Sequence, residues 1–325
     1  LLRLAADESL TQADVITTQV DRMLASQKAD KFFTGFMSQW MHLKRFDEVG
    51  LSSRLLVHRT DAMIDGAKHE PIAFFKTLVR ENLGAANLID SDFVTVNGVL
   101  ASKYGLSERY SGDGFKKIQL PPKSPRGGLM TQAAFLSIGT MGNRTSPVIR
   151  GSLVKEILLN DPPPPPPLNV PELVAAGTVP LASVRSLVKL HQTKAQCASC
   201  HARFDFIGLG LENFDALGMW RDEELVTEAQ EAHQIPRRPK KVYPVDASGE
   251  LPGGETFNDV HGLMKEERTV AGSLFEGLLC YALGRDVSFT DLPIVEKTLD
   301  DLAGESFPIR ELVKRVATSK AFLER

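Results

Sequence analysis

Six consecutive prolines, Pro162 to Pro167, set the first limit on what this chain can fold into. Proline lacks an N–H and fixes φ, so the run cannot be a helix or a central strand. It is expected to form a polyproline II rod, rising ~3.1 Å per residue and spanning roughly 19 Å. We read the rod as a stiff strap over the protein's own surface rather than as a ligand for a proline-reading domain. On both sides of it the apolar residues recur at helical spacing, so the run separates two helix-rich stretches.

On the N-terminal side, Val15, Ile16, Val20, Met23 and Leu24, then Phe32, Phe33, Phe36, Met37 and Trp40, predict helices across residues 9–45. Asp30 is expected to cap the second of them. A further helix over 60–83 is expected to be interrupted at Pro71. The run from Phe93 to Gly98 reads as a short strand or turn. Glycines and prolines between 112 and 128 mark a loop, which places a module boundary near residue 122. Two short helices are expected around Thr140–Pro147, with Ser146 as N-cap and Pro147 at the first helical position.

Beyond the prolines, helices over 181–196 and 206–218 are expected to flank a cysteine motif. The tract 228–241 is polar and basic and reads as an exposed loop, and 242–254 has the turn chemistry of a small hairpin. Three helices near 257–266, 268–284 and 292–320 should close the chain, the last broken around Gly304 and Pro308. The expectation is therefore mainly α with minor β, in three modules: 1–122, 123–225 and 226–325. The last is expected to pack on the middle one.

Composition removes several classes of function. Hydrophobic residues make up 42% and charged residues 24%, enough apolar material for a core. A net charge of -3 and a pI near 6.2 give no basic footprint for nucleic acid. No stretch approaches the ~20 apolar residues that span a bilayer. The opening Leu1-Leu2-Arg3-Leu4-Ala5-Ala6 has no initiator Met and reads as helix interior. We take the chain to be a fragment, and expect any secretion signal to lie in the part that precedes it.

The chemistry concentrates in Cys197-Ala198-Ser199-Cys200-His201. Two cysteines three positions apart with a histidine next is the attachment pattern for one covalent haem c. The thiols add to the haem vinyl groups as thioethers, and His201 offers an imidazole nitrogen to the iron. A structural zinc site usually takes four Cys or His ligands in two spaced pairs, and Cys280 is eighty residues away with no cysteine partner near it. A thioredoxin-like dithiol would want a βαβ context that the pattern lacks. Cys280 itself lies in an apolar run and reads as a buried thiol.

The order of several motifs resembles a known family. Gly127-Gly128-Leu129-Met130-Thr131-Gln132 is followed by Arg144-Thr145-Ser146-Pro147-Val148-Ile149-Arg150-Gly151. Then come the prolines with Asn169-Val170-Pro171, the Cys-x-x-Cys-His motif, and Leu211-Glu212-Asn213-Phe214-Asp215. With Gln39-Trp40-Met41-His42-Leu43 before them, and Val245-Asp246-Ala247-Ser248-Gly249 and Tyr281-Ala282-Leu283-Gly284-Arg285 after, the chain resembles the planctomycete-type cytochrome c-like multi-module proteins of unknown function. The resemblance implies an exported, periplasmic or cell-surface, haem-bearing protein with an irregular multi-helical cytochrome c-like module inside helical flanking modules. One departure stands out. The family usually has Asp-Pro where this chain has Asp205-Phe206, so the hydrogen-bond partner of the proximal histidine is open, and Phe206 is expected to shield the haem.

The ligand opposite His201 decides the function. Met141, in the loop Gly139-Thr140-Met141-Gly142, is the first candidate and Met219 the alternative; His191, His261 and Met264 follow. Arg144 and Arg150 are candidates for the haem propionates, because guanidinium matches carboxylate in a two-pronged way. Glu212 is expected to hold the loop around the haem through hydrogen bonds, whereas Asp215 reads rather as a helix-surface carboxylate. The reading that results is a single-haem electron-transfer module of a larger exported protein, with redox proteins as partners. The alternatives are a peroxidase-like haem enzyme with an open or labile sixth site, and a scaffold subunit of a membrane-attached redox complex.

Overall fold

A computed structural model of the chain describes residues 1–50, 59–141, 144–165, 182–193, 195–226, 241–250, 255–257 and 267–324. The fold is mainly α, with 56% helix against 10% strand, the strands forming small two-stranded sheets. In chain order the principal elements are α1 (Ala13–Ala25), α2 (Asp30–Trp40), α3 (Asp61–Glu81), β1 (Phe93–Val96), β2 (Lys116–Gln119), α4 (Ala133–Ile138) and α5 (Pro147–Ile157). They continue with α6 (Val184–Gln192), α7 (Ala195–His201), α8 (Asp205–Leu209), β3 (Glu223–Val226), β4 (Lys241–Pro244), α9 (Glu267–Leu283), α10 (Leu292–Leu302) and α11 (Ile309–Ala317).

The N-terminal helices form where their apolar spacing predicts. Helix α2 buries Phe33, Phe36 and Met37 against Phe74, Phe75 and Leu78 of α3, with the Phe36 and Phe75 rings 5.2 Å apart. Asp30 does not cap α2. It is the first helical residue, and its carboxylate pairs with Lys76 of α3 at 2.7 Å. Pro71 does not interrupt α3, which runs unbroken for 21 residues. The proline ring is buried among Ala67, Phe74 and Phe75, so packing offsets the one backbone bond it removes. Thr60 caps the start through Met63 N–H, and Asn82 ends the helix in the left-handed region at φ 52°.

Strands β1 and β2 pair antiparallel, Phe93 opposite Gln119 and Val96 opposite Lys116. Both short helices expected around Thr140–Pro147 are present, and Ser146 accepts from the Ile149 N–H with Pro147 at the first helical position. Pro162–Pro165 lie outside helix and strand, while Pro166 and Pro167 are beyond the described residues. The hairpin expected within 242–254 pairs differently. Its first half is β4, which joins β3 with Glu224 opposite Tyr243, and Gly249–Glu250 pairs with Thr256–Phe257. The predicted loop 228–240 and most of the predicted helix 257–266 lie outside the described residues.

Helices α9 and α11 pack chiefly on the N-terminal module rather than on the middle one, and α10 packs on α9. Arg310 of α11 donates Nε to the Val79 carbonyl at 2.9 Å, and the Ile309 N–H donates to Leu83 at 2.9 Å. Helix α9 is linked to the middle module by Ser273, whose hydroxyl donates to the Ile157 carbonyl at 2.7 Å, and by Glu276, whose carboxylate accepts from Asn160 Nδ2 at 2.7 Å. One continuous hydrophobic cluster runs through residues of all three expected modules, from Leu24 to Val316. Among the described residues no helix is long and apolar enough to cross a membrane.

Candidate functional site

The cysteine motif stands on a short helical pair. The helix expected over 181–196 is two helices: α6, which ends at Gln192, and α7, which contains the motif itself. Helix α6 is started twice over. Ser183 Oγ accepts from the Ser186 N–H at 3.2 Å, and the Glu224 carboxylate accepts from the Val184 N–H at 2.9 Å, an anion at a helix N-terminus. It buries Val184, Leu187 and Val188 and carries His191 and Gln192 at its end. On α7, Cys197 lies three residues from Cys200 and four from His201, so the three share one helical face. Cys197 is partly exposed and Cys200 exposed, and neither is in a disulfide.

His201 is held from both sides of its ring. Nδ1 lies 3.0 Å and 3.1 Å from the two Asp205 oxygens. A carboxylate can only accept there, so Nδ1 is the donor. Nε2 faces His191, Nε2 to Nε2 at 3.1 Å, with the ring centroids 4.5 Å apart and the planes at 74°. The Phe204 ring closes another side at 5.2 Å. Asp205 is 1% exposed, and Gln192 donates Nε2 to its Oδ2 at 2.9 Å. Burial pushes the Asp205 carboxyl up, against the opposing pull of His201 and Gln192.

Two glycines fix this arrangement in the fold. Helices α5 and α8 cross backbone to backbone. A Cβ on Gly208 would stand 1.8 Å from the Pro147 carbonyl oxygen, and one on Gly151 would stand 2.0 Å from that of Phe204. The motif from Arg144 to Gly151 therefore seats the segment that carries Asp205. Helix α8 stops at Leu209, so the helix expected over 206–218 is mostly a set of turns. The cause is Arg150, fully buried, which collects the carbonyls a continuing helix would have used. It donates to Leu211 at 2.7 Å, Phe214 at 2.8 Å and Asp215 at 2.9 Å, and reaches Leu136 at 3.4 Å.

The remaining expected site residues are placed as follows. Arg150 commits both Nη atoms to these carbonyls and to Glu212 at 3.5 Å, which makes it a clamp within the fold, while its buried Nε has no hydrogen-bond partner among the described residues. Arg144 pairs with Glu224 at 3.1 Å and with the Ala182 carbonyl, but its buried Nη1 has no hydrogen-bond partner among the described residues. Glu212 accepts from Thr145 at 2.6 Å and from Arg221 at 2.8 Å, and Asp215 accepts the Leu217 and Met219 N–H groups, so both hold the loop. Phe206 is half-buried in the core, 6.4 Å from Phe257.

The candidates for the second axial position separate clearly. Met141 is 63% exposed and lines a shallow pocket with Arg45, Val49, Ile138, Ile149 and Leu153, which includes no residue of α6, α7 or α8. Met219 sits in the turn that Asp215 organises. His191 is the candidate in contact with His201. His261 and Met264 lie outside the described residues. Cys280 is half-buried on α9, and burial pushes its thiol up. Among the described residues no three or more His, Cys, Asp and Glu side chains converge as a bare-ion site.

Sequence reasoning missed Asp205 and Gln192 as parts of the site. The signal for Asp205 was present: it is four residues after His201, one helical turn on. Gln192 carried none, because its contact depends on how α6 folds back over α7.

Three known families, all of unknown function, match in succession along the chain. Residues 1–106 match the family DUF1592, residues 126–224 match DUF1588, and residues 253–322 match DUF1585. This is the domain set found in the planctomycete cytochrome c-like multi-module proteins. No curated protein and no solved structure matches the chain.

Proposed function

We propose that the chain is a single-haem c-type cytochrome unit of an exported redox protein, and that it transfers electrons. The observation that carries this is His201, next to two cysteines spaced for two thioether links. Its Nδ1 is tied to a buried carboxylate and its Nε2 faces another imidazole. The residues fit the group. Cys197 and Cys200 would hold it covalently and His201 would bind the iron through Nε2, with His191, in place of Met141, as the second histidine that would move to bind it. Arg144 keeps a buried donor, Nη1, of the kind a propionate needs.

When bound, the haem supplies a one-electron iron couple. The protein's part is to hold the proton on His201 Nδ1, to keep that ring from rotating, and to present the partly exposed cysteine face of α7 to a redox protein. Export follows from the reading, since thioether attachment belongs to an oxidising compartment.

The test is the full chain produced together with a c-type haem attachment system. A reduced pyridine haemochrome spectrum of the thioether type is expected, lost when both cysteines are replaced by alanine. A colourless protein from the same cells would sink the proposal. The carboxylate on His201 also favours a second reading, peroxide chemistry, because such a contact supports ferric and higher iron states. The two readings separate on the second axial position: a low-spin ferric spectrum unmoved by cyanide favours electron transfer.

A further inference from the structure

The contact between Asp205 and His201 goes further than ring orientation, given the haem reading on which this inference rests. Both carboxylate oxygens lie within 3.1 Å of Nδ1. The carboxylate is almost wholly out of water and takes a second hydrogen bond from Gln192. The backbone that carries it is fixed, because α8 is pressed against α5 at Gly208 and Gly151 with no room for even a Cβ. A hydrogen bond to an ionised acceptor is roughly twice as strong as one to a neutral carbonyl. Such an acceptor draws the Nδ1 proton, makes Nε2 more basic and strengthens its bond to a metal, which favours the oxidised ion.

We propose that Asp205 is a positioning residue that holds the reduction potential of the site low, acting through His201, with Gln192 fixing the carboxylate in place. Among the described residues, His201 and Gln192 hydrogen-bond the carboxylate, and His191 meets His201 on the opposite nitrogen.

The variant Asp205→Asn keeps the shape and offers Nδ1 a neutral acceptor. In the haem-loaded full chain we expect its midpoint potential to shift positive and its ferric EPR g-values to move, with haem content retained. Gln192→Leu should shift the potential in the same direction by less. A potential and g-values equal to those of the wild type in Asp205→Asn would overturn the proposal. So would a loss of haem content with no shift in the fraction that remains loaded, since that is the mark of a merely structural role. Should Asp205→Asn fail to fold, Gln192→Leu decides: a positive shift supports the proposal and an unchanged potential overturns it. Failure of the underlying haem reading would show separately, as a wild-type protein with no haemochrome spectrum.

Discussion

Arg150 carries its charge into a place with no water and meets four backbone carbonyls there. Burial lowers its pKa to about 10, while Glu212 pulls the other way. Replacing it with methionine leaves those carbonyls unpaired in the core and reduces the partners of Glu212 to Thr145 and Arg221. We expect Arg150→Met to lose about 3–5 kcal/mol of stability, read from urea unfolding. At the site, His191→Ala should change the ferric haem spectrum towards high spin, and Met141→Ala should leave it unchanged. The opposite pattern would return the axial position to Met141. Residue chemistry was legible here and residue location was not. An arginine after a capped helix start looks the same in sequence whether it reaches a propionate or a carbonyl cage.

Elements were legible where one helix buries one face. The spacing of Val15 to Trp40 and the cap at Ser146 are local facts, and the structure agrees with both. Elements that depend on partners were not. Pro71 stays inside α3 because its ring is packed, and the turns after Leu209 exist because Arg150 takes their carbonyls. The pairing of β4 with β3 spans a sequence gap that no local hairpin signal could reveal. The close crossing of α5 and α8 gives a prediction at this scale. Gly208→Ala puts a Cβ 1.8 Å from the Pro147 carbonyl oxygen, so the two backbones must separate. A loss of at least about 3 kcal/mol is expected, in the upper range for point substitutions. Gly304→Ala, with nothing within 4 Å, is expected to be neutral or to stabilise by about 0.5 kcal/mol. Equal melting temperatures for the two variants would contradict the crossing.

At the scale of the whole molecule, the N-terminal and middle modules are joined by a buried polar knot. Glu70 Oε2 accepts from the Tyr104 hydroxyl at 2.7 Å and from the Ala133 N–H at 3.1 Å, and its Oε1 has no partner. Arg126 lies 3.5 Å over the Tyr104 ring and 5.0 Å from that of Phe214, and donates to the Thr131 and Gly218 carbonyls. Burial raises the Glu70 pKa from 4.5 to about 7. The folded state then binds more protons than the unfolded state between those values, so this group's contribution to stability falls as pH rises from 4.5 through about 7. The expected loss is roughly 3 kcal/mol, complete above the folded pKa. Glu70→Gln should remove that segment of the pH profile, measured by urea midpoints at several pH values. An unchanged slope would place the titration elsewhere. Because the core is continuous and Arg310 fastens α11 to α3, unfolding is expected to follow one transition.

By itself, the sequence determined the helical class, the helix start at Ser146 and the Cys-x-x-Cys-His pattern at Cys197, Cys200 and His201. Each of these is set by residues within one or two turns of one another. Tertiary structure alone decided what His201 touches, where Arg150 is buried and that Met141 faces outward. Those outcomes depend on which surfaces exclude water from which side chains, and that is settled only when α5, α6 and α8 pack together.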